Sequence, residues 1–138
     1  MKKTLFASLI CLLGTFFSTA QAATPASIFG TTLVNAEELI ALVEEKDELL
    51  IIDARTVADY TKGHLPDSVN LANTDTNADS LAKTITSKES PVLFYCNGIN
   101  CGRSVESCKV AVAAGYSNIY WFRGGIGEWN EKGYPTEQ

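Results

Sequence analysis

The chain is poor in the residues on which metal sites and proton-transfer chemistry usually depend. It has one histidine, His64, and four cysteines among 138 residues. Without two Cys-x-x-Cys pairs, these residues do not make a convincing zinc set. The sequence also lacks a glycine-rich phosphate-binding motif and an arguable serine–histidine–acid set. We therefore predict no metal site and no cofactor.

Basic residues are scarce as well. The chain has 11 lysines and arginines against 16 aspartates and glutamates, a net charge of −5, and it has no basic cluster. Proteins that bind nucleic acids or anionic membrane surfaces usually present such a cluster. We therefore expect neither nucleic acid nor a membrane among the partners of the folded domain.

The most apolar stretch is short and lies near the N-terminus. Residues 5–17 follow two lysines and precede Ala-Gln-Ala at 20–22, which fits the small-x-small pattern of a signal peptidase site. A bilayer span needs about 20 apolar residues, so the pattern favours export over a membrane anchor. We predict a signal peptide over residues 1–22, cleavage after Ala22 and a location in the periplasm.

The predicted mature chain keeps three cysteines: Cys96, Cys101 and Cys108. Cysteines in an oxidising compartment are usually paired, but an odd number leaves at least one thiol free or paired with another molecule. A Cys96–Cys101 bond beside a free Cys108 is compatible with this count. Cys108 falls on the apolar face of a predicted helix, where we expect a buried small side chain.

Apolar runs alternate with helical patterns along most of the chain. We assign residues 23–34 to an N-terminal leader and residues 35–138 to one domain, in which Asn35 caps the first helix. The polar stretch 73–79 is expected to be a loop. Runs typical of strands buried on both faces lie at residues 49–53, 92–95 and 118–122. The alternation predicts an α/β domain of three layers, a mainly parallel sheet flanked by helices on both faces.

The loop after the second of these runs carries the candidate chemistry. Cys96 follows the apolar run directly, and a helix is predicted to begin at Ser104. Backbone N–H groups and the positive end of the helix dipole converge at such a turn, which lowers a thiol pKa and stabilises negative charge on sulfur. The candidate site comprises Cys96 and the loop residues Asn97, Gly98, Ile99, Asn100, Cys101, Gly102, Arg103 and Ser104.

Three segments together resemble the rhodanese-like domains. Residues 51–70 resemble the first signature of that family, and Tyr95-Cys96 with Gly102-Arg103-Ser104 resembles its active-site loop. Residues 115–135 resemble its C-terminal signature. The segments occur in the family's order and cover essentially the whole mature chain. The resemblance implies a single rhodanese-like domain with a parallel sheet flanked by helices.

The resemblance also implies a reaction. The thiolate of Cys96 would take the outer sulfur of a small anionic donor such as thiosulfate, expel sulfite and become a persulfide, from which cyanide or a thiol removes the sulfur. Gly98 and Gly102 would permit the backbone conformations of a cradle of N–H groups around that charge. We predict a periplasmic sulfurtransferase or sulfane-sulfur carrier, and the sequence names no protein partner.

The candidate loop is longer than the family pattern. Six residues separate Cys96 from Arg103, two more than in many single-domain members, and Cys101 lies among them. Cys101 is open to three roles: resolving Cys96 as a disulfide, carrying the sulfur itself, or filling the loop. Phosphatases and arsenate reductases of this fold use Cys-x5-Arg, which the spacing here does not match.

Other side chains have predicted roles near the loop. Arg103 attracts an anionic donor or binds loop carbonyls, and Ser104 caps the following helix or donates within the loop. By resemblance, Asp53 and Arg55 form a pair that mainly braces the loop. His64 lies in a Gly-His-Leu-Pro match, which favours a structural hydrogen bond over a general-base role.

Two other functions stay open. The first is a thiol–disulfide redox protein that cycles Cys96 and Cys101, and its mark is a reversible disulfide formed without any sulfur donor. The second is a non-catalytic rhodanese-type binding module, which failure of every donor to load Cys96 would favour.

Overall fold

Residues 22–138, which the computed structural model describes, contain a five-stranded parallel sheet. The strand order is β1-β5-β4-β2-β3, so β4 lies in the middle. The predicted signal segment lies outside the described residues, apart from Ala22. The strands are β1 (Thr31–Val34), β2 (Leu50–Asp53), β3 (Val69–Asn70), β4 (Val92–Tyr95) and β5 (Ile119–Phe122).

Helices connect the strands, as the alternating pattern predicts. The first begins after Asn35, whose side chain accepts a hydrogen bond from the backbone N–H of Glu38 while the Glu38 carboxylate accepts one from Asn35. This reciprocal capping box confirms the predicted start of the helix. The helices are α1 (Ala36–Glu45), α2 (Val57–Tyr60), α3 (Ala78–Thr84), α4 (Arg103–Ala113) and α5 (Gly125–Glu131).

The polar stretch 73–79 is not the simple loop that its composition predicts. Asn73–Asp75 forms a 3-10 turn, and α3 begins directly after Asn77. The Asn77 side chain accepts hydrogen bonds from the backbone N–H groups of Asp79 and Ser80. The polar residues here cap a helix. Helix caps and loops are both rich in polar residues, so polarity alone does not distinguish them.

The N-terminal segment contributes a strand that the sequence analysis placed in a leader. Thr31–Val34 forms β1 and pairs with β5 along its whole length. Ile28, before it, is buried in the core. Only Val34 of the strand is buried, so β1 carries no alternating apolar pattern to predict it from. Its position at the sheet edge depends on backbone pairing with β5.

Two hydrophobic cores lie on opposite faces of the sheet. All four residues of β4 are fully buried: Val92 and Phe94 face the core beneath α3 and α4, whereas Leu93 and Tyr95 face the core beneath α1 and α5. Successive side chains of a strand point to opposite faces, so a central strand covered on both sides must be apolar throughout. The predicted three-layer α/β architecture is confirmed, and Cys96 follows its central strand.

The turn after β5 holds the carboxyl end of β4. The N–H groups of Ile126 and Gly127 donate hydrogen bonds to the carbonyls of Cys96 (3.0 Å) and Asn97 (2.9 Å). Gly125 has a φ of +56°, and a Cβ there would lie 2.2 Å from the Cys96 carbonyl oxygen. Only glycine allows this left-handed turn to approach the backbone of Cys96 so closely.

We expect Gly125→Ala to destabilise the domain far more than Gly115→Ala. Both glycines have a left-handed φ, but a Cβ at Gly115 would meet nothing within 4 Å. Gly115→Ala should cost about 1 kcal/mol from backbone strain alone, whereas Gly125→Ala should cost about 3 kcal/mol or more because the Cys96 backbone must also move. Urea unfolding of the two variants measures the difference, and equal losses would contradict the close approach.

Candidate active site

Cys96 lies beneath the loop that it begins. It is the first residue after β4, and 1% of its surface is exposed. Its sulfur lies 3.0 Å from the Cys101 carbonyl oxygen, to which the thiol can donate, and 3.2 Å from the Ser104 hydroxyl. The Cys96 thiol therefore lies at the carboxyl edge of the sheet, where parallel α/β sheets bind ligands. At that edge, however, the thiol is buried.

Ser104 connects the thiol to the core. Its hydroxyl is buried between the Cys96 sulfur and the indole nitrogen of Trp121, 3.0 Å away. An indole N–H only donates, so the Ser104 oxygen accepts there and its own proton is free for the sulfur. Gly102 occupies the N-cap position of α4. Ser104 thus lies inside the helix and acts within the loop, the second of its two predicted roles.

Cys101 is the thiol that faces solvent. It is half-buried, and it lines a concavity of about 450 Å³ from which Cys96 is absent. A ligand entering the loop would meet the Cys101 side chain before that of Cys96. The other residues around the concavity are Asn97, Gly98, Ile99, Asn100, Gly102 and Arg103.

The two thiols are neighbours with opposite ionisation behaviour. The interaction with the Cys96 thiol lowers the pKa of Cys101, and the backbone N–H groups of Asn97 and Arg103 lower it further against the effect of burial. The same interaction and burial raise the pKa of Cys96. The Cys96 thiol donates to the Cys101 carbonyl oxygen at 3.0 Å, which keeps the proton on Cys96. Negative charge on the pair is therefore favoured at Cys101 over Cys96.

Arg103 adds a limited positive charge to the concavity. Its guanidinium lies 3.5 Å from the Asp59 carboxylate, and 38% of its side chain is exposed. The Arg103 charge contributes to the lowered pKa of Cys101. Because Asp59 partly neutralises it, Arg103 gives the mouth of the loop only a modest attraction for anions.

A buried ion pair holds the residue before Cys96. Arg55 Nη2 lies 2.6 Å from Asp53 Oδ2, and the Tyr95 hydroxyl donates to the same oxygen at 2.7 Å. Arg55 also donates to the Gly63 carbonyl at 2.7 Å. Burial raises the pKa of Tyr95, so its hydroxyl stays protonated and able to donate. The pair predicted to brace the loop thus acts on it through Tyr95.

The remaining predicted residues have structural contacts. The His64 ring stacks on Tyr60 at 3.7 Å, and its Nδ1 lies 3.0 Å from the Tyr60 carbonyl oxygen. Cys108 is fully buried in the core. Neither Gly98 nor Gly102 has a left-handed φ, so the predicted need for glycine conformations in the loop is wrong. These two positions instead keep the mouth of the loop free of side chains.

The sequence analysis missed a strap over the loop. The backbone N–H and the hydroxyl of Thr24 both donate to the Ile99 carbonyl, at 2.7 and 2.8 Å. Arg123 in turn donates to the Thr24 hydroxyl (3.1 Å) and carbonyl (2.8 Å). The contacts join segments 75 and 99 residues apart, and nothing local in the sequence indicates such a pairing.

Within residues 22–138, no three histidine, cysteine or acidic side chains cluster as metal ligands. None of the helices in this part of the chain has the length and apolar character of a membrane span.

Known proteins share this fold and sequence pattern. Residues 35–132 match the family model of the rhodanese-like domain. A sulfurtransferase of Allochromatium vinosum is 26% identical over 102 residues, which cover 74% of this chain and 91% of that protein. Two solved structures, both below 25% identity, show the same fold. The BH2092 protein of Bacillus halodurans has a TM-score of 0.69 at 19% identity, covering 78% of this chain and 77% of that one. The polysulfide-sulfur transferase homodimer of Wolinella succinogenes has a TM-score of 0.64 at 21% identity, covering 78% and 79%.

We expect Asp53→Asn to destabilise the domain by about 3–5 kcal/mol, because it leaves the Arg55 charge buried without its partner. Asp59→Asn is the matched control, since Asp59 pairs with Arg103 near the surface and should contribute at most about 1 kcal/mol. Thermal or urea unfolding compares them. Similar small losses in both variants would show that the buried pair does not hold the strand end.

We expect Cys101 to be alkylated at a lower pH than an ordinary thiol. The thiolate is the reactive form, and a free cysteine has a pKa of about 8.5. Since the pKa of Cys101 is lowered, its rate with iodoacetamide should fall only at a pH well below that value. Fragment-ion sequencing of the shared peptide distinguishes Cys101 from Cys96, and peptide mapping separates both from buried Cys108. A midpoint at or above 8.5 for Cys101 contradicts the assigned thiolate.

Proposed function

This chain belongs to the rhodanese-like domain family, and we propose that it is a sulfurtransferase that carries sulfane sulfur as a persulfide on Cys96. It takes the sulfur from a small anionic donor, with thiosulfate as the first candidate, and passes it to a thiol or to cyanide. Relatives in the family include a sulfurtransferase. The domain supplies two thiols at the end of its central strand, and that observation carries the proposal.

The contacts of the loop suit a persulfide, which carries negative charge on its outer sulfur. The Ser104 hydroxyl lies 3.2 Å from the Cys96 sulfur, and the backbone N–H groups of Asn97 and Arg103 stabilise negative charge at Cys101. Donors held in place around a developing anion are the largest contribution to many such reactions. The loop therefore places a hydroxyl donor at the Cys96 sulfur and favours negative charge at Cys101.

The donor should be small and anionic. The concavity of about 450 Å³ is lined by one arginine and no lysine, so it attracts a dianion only modestly. Thiosulfate meets these conditions, and so does a short polysulfide, the kind of substrate named for the Wolinella succinogenes neighbour.

We place the reaction in the periplasm on the strength of the predicted signal peptide over residues 1–22. An oxidising compartment would supply oxidised sulfur compounds as donors and would act on exposed thiols. We expect no nucleic acid, metal or cofactor to take part, and no membrane once the signal is removed.

A thiol–disulfide exchange protein is the second candidate. The observation that favours it is that Cys101 folds back over Cys96, whose sulfur lies 3.0 Å from the Cys101 carbonyl oxygen, because a thiolate beside a second thiol is the arrangement that forms and breaks disulfides. In that function the pair would cycle without holding an extra sulfur atom.

We expect the reduced protein to gain one sulfur atom on Cys96 when it is exposed to thiosulfate, located by fragment-ion sequencing of the peptide that holds Cys96 and Cys101. Intact mass followed by peptide mapping detects it, and subsequent cyanide should remove the sulfur as thiocyanate. Cys108→Ser is the matched control, since Cys108 is buried in the core away from the loop, and it should load as the wild type does.

Two results would overturn the proposal. A loss of two hydrogens, with Cys96 linked to Cys101 and no sulfur gained, favours disulfide exchange. No change with thiosulfate, polysulfide or a persulfide donor favours a binding module.

A further inference from the structure

The two thiols of the loop are unequally accessible. Cys101 lines the concavity, whereas Cys96 is 1% exposed and does not line it. The Cys101 carbonyl and the Ser104 hydroxyl both contact the Cys96 sulfur. An in-line attack needs the donor to approach the nucleophile within about 3–3.5 Å. In this loop a donor of several atoms can make that approach to Cys101, while Cys96 lies beneath.

We propose that Cys101 is the catalytic thiol that meets the donor and that it relays the sulfur to Cys96, an inference that rests on the proposed sulfurtransferase function. The juxtaposition that carries it is an accessible thiol that lines the concavity above a buried thiol at the strand end, whose sulfur lies 3.0 Å from the Cys101 carbonyl oxygen. Cys101 thus has a role distinct from that of a loop filler.

The first step loads Cys101. Its thiolate attacks the outer sulfur of thiosulfate, a new sulfur–sulfur bond forms, and the bond to the sulfonate sulfur breaks with its electron pair leaving on sulfite. The products are the Cys101 persulfide anion and sulfite, so charge and atoms balance. Arg103, at the same concavity, faces the anions that enter and leave.

The second step moves the sulfur inward. The Cys96 sulfur attacks the outer sulfur of the Cys101 persulfide, and the bond from that sulfur to Cys101 breaks with its electron pair on Cys101. The Cys101 sulfur, as it leaves, takes up the proton that the Cys96 thiol loses. Cys96 becomes the persulfide anion and Cys101 a thiol, with no net oxidation or reduction.

The surroundings of Cys96 are suited to storing sulfur as a persulfide. Its sulfur lies next to the Ser104 hydroxyl, which Trp121 orients by donating to the Ser104 oxygen. Burial separates the persulfide from solvent thiols, so release to the acceptor runs through Cys101 in the reverse direction. The relay therefore makes Cys101 both the entrance and the exit of the site.

The test follows sulfur loading in time. Reduced protein is mixed with thiosulfate and quenched by alkylation at intervals, and the peptide that holds both cysteines is sequenced by its fragment ions to locate the added sulfur. In the wild type we expect the sulfur first on Cys101 and then on Cys96. Cys96→Ser should accept sulfur that stays on Cys101. Cys101→Ser should gain no more sulfur than the variant that lacks both thiols. Circular dichroism checks that Cys101→Ser is folded.

Three results would overturn the relay. Loading of Cys96 in Cys101→Ser at the wild-type rate shows direct attack and leaves the sulfurtransferase function intact. Release of hydrosulfide with a Cys96–Cys101 disulfide shows attack on the inner sulfur instead. Failure of the wild type to load from any donor removes the sulfurtransferase function itself. The wild-type time course decides the order of loading even if a cysteine variant does not fold.

Discussion

The site depends on one buried ion pair. Asp53 is fully buried at the end of β2, and its carboxylate receives hydrogen bonds from the Arg55 side chain, the Arg55 backbone N–H and the Tyr95 hydroxyl. A buried charge pair is stable only when such additional donors satisfy it. Since Tyr95 ends β4, the same network that neutralises the pair holds β2 and β4 at a common edge. Because Cys96 directly follows Tyr95, this hydrogen-bond network also fixes the position of Cys96.

Three elements then meet at Cys96, one at its carbonyl oxygen and two at its sulfur. The β5–α5 turn binds its carbonyl through the Ile126 N–H. Ser104 of α4 touches its sulfur. The loop folds back so that Cys101 covers it. The buried thiol is thereby held under an accessible one. The two differ in pKa first because their interaction favours charge on Cys101, and second because Cys96 is the more deeply buried.

Much of the fold could be predicted from local patterns. The fully apolar runs that became β2, β4 and β5 and the capping box at Asn35 follow rules of burial and hydrogen bonding that act over a few residues. β1 could not be predicted, because three of its four residues are not buried and it is held by backbone pairing with β5. The strap from Thr24 to Ile99 could not be predicted either, since it depends on contacts between segments far apart in the chain.

By itself, the sequence determined the family, the three-layer architecture and the loop that holds the candidate chemistry, because these depend on short patterns and on the order of residues. Only the tertiary structure decided which cysteine meets solvent. Position after the strand indicated Cys96, yet exposure and pKa depend on where the loop turns and on which groups close over each sulfur. Burial beneath Cys101 and the contact with Ser104 are products of packing among β4, α4 and the β5–α5 turn, and no local pattern encodes them.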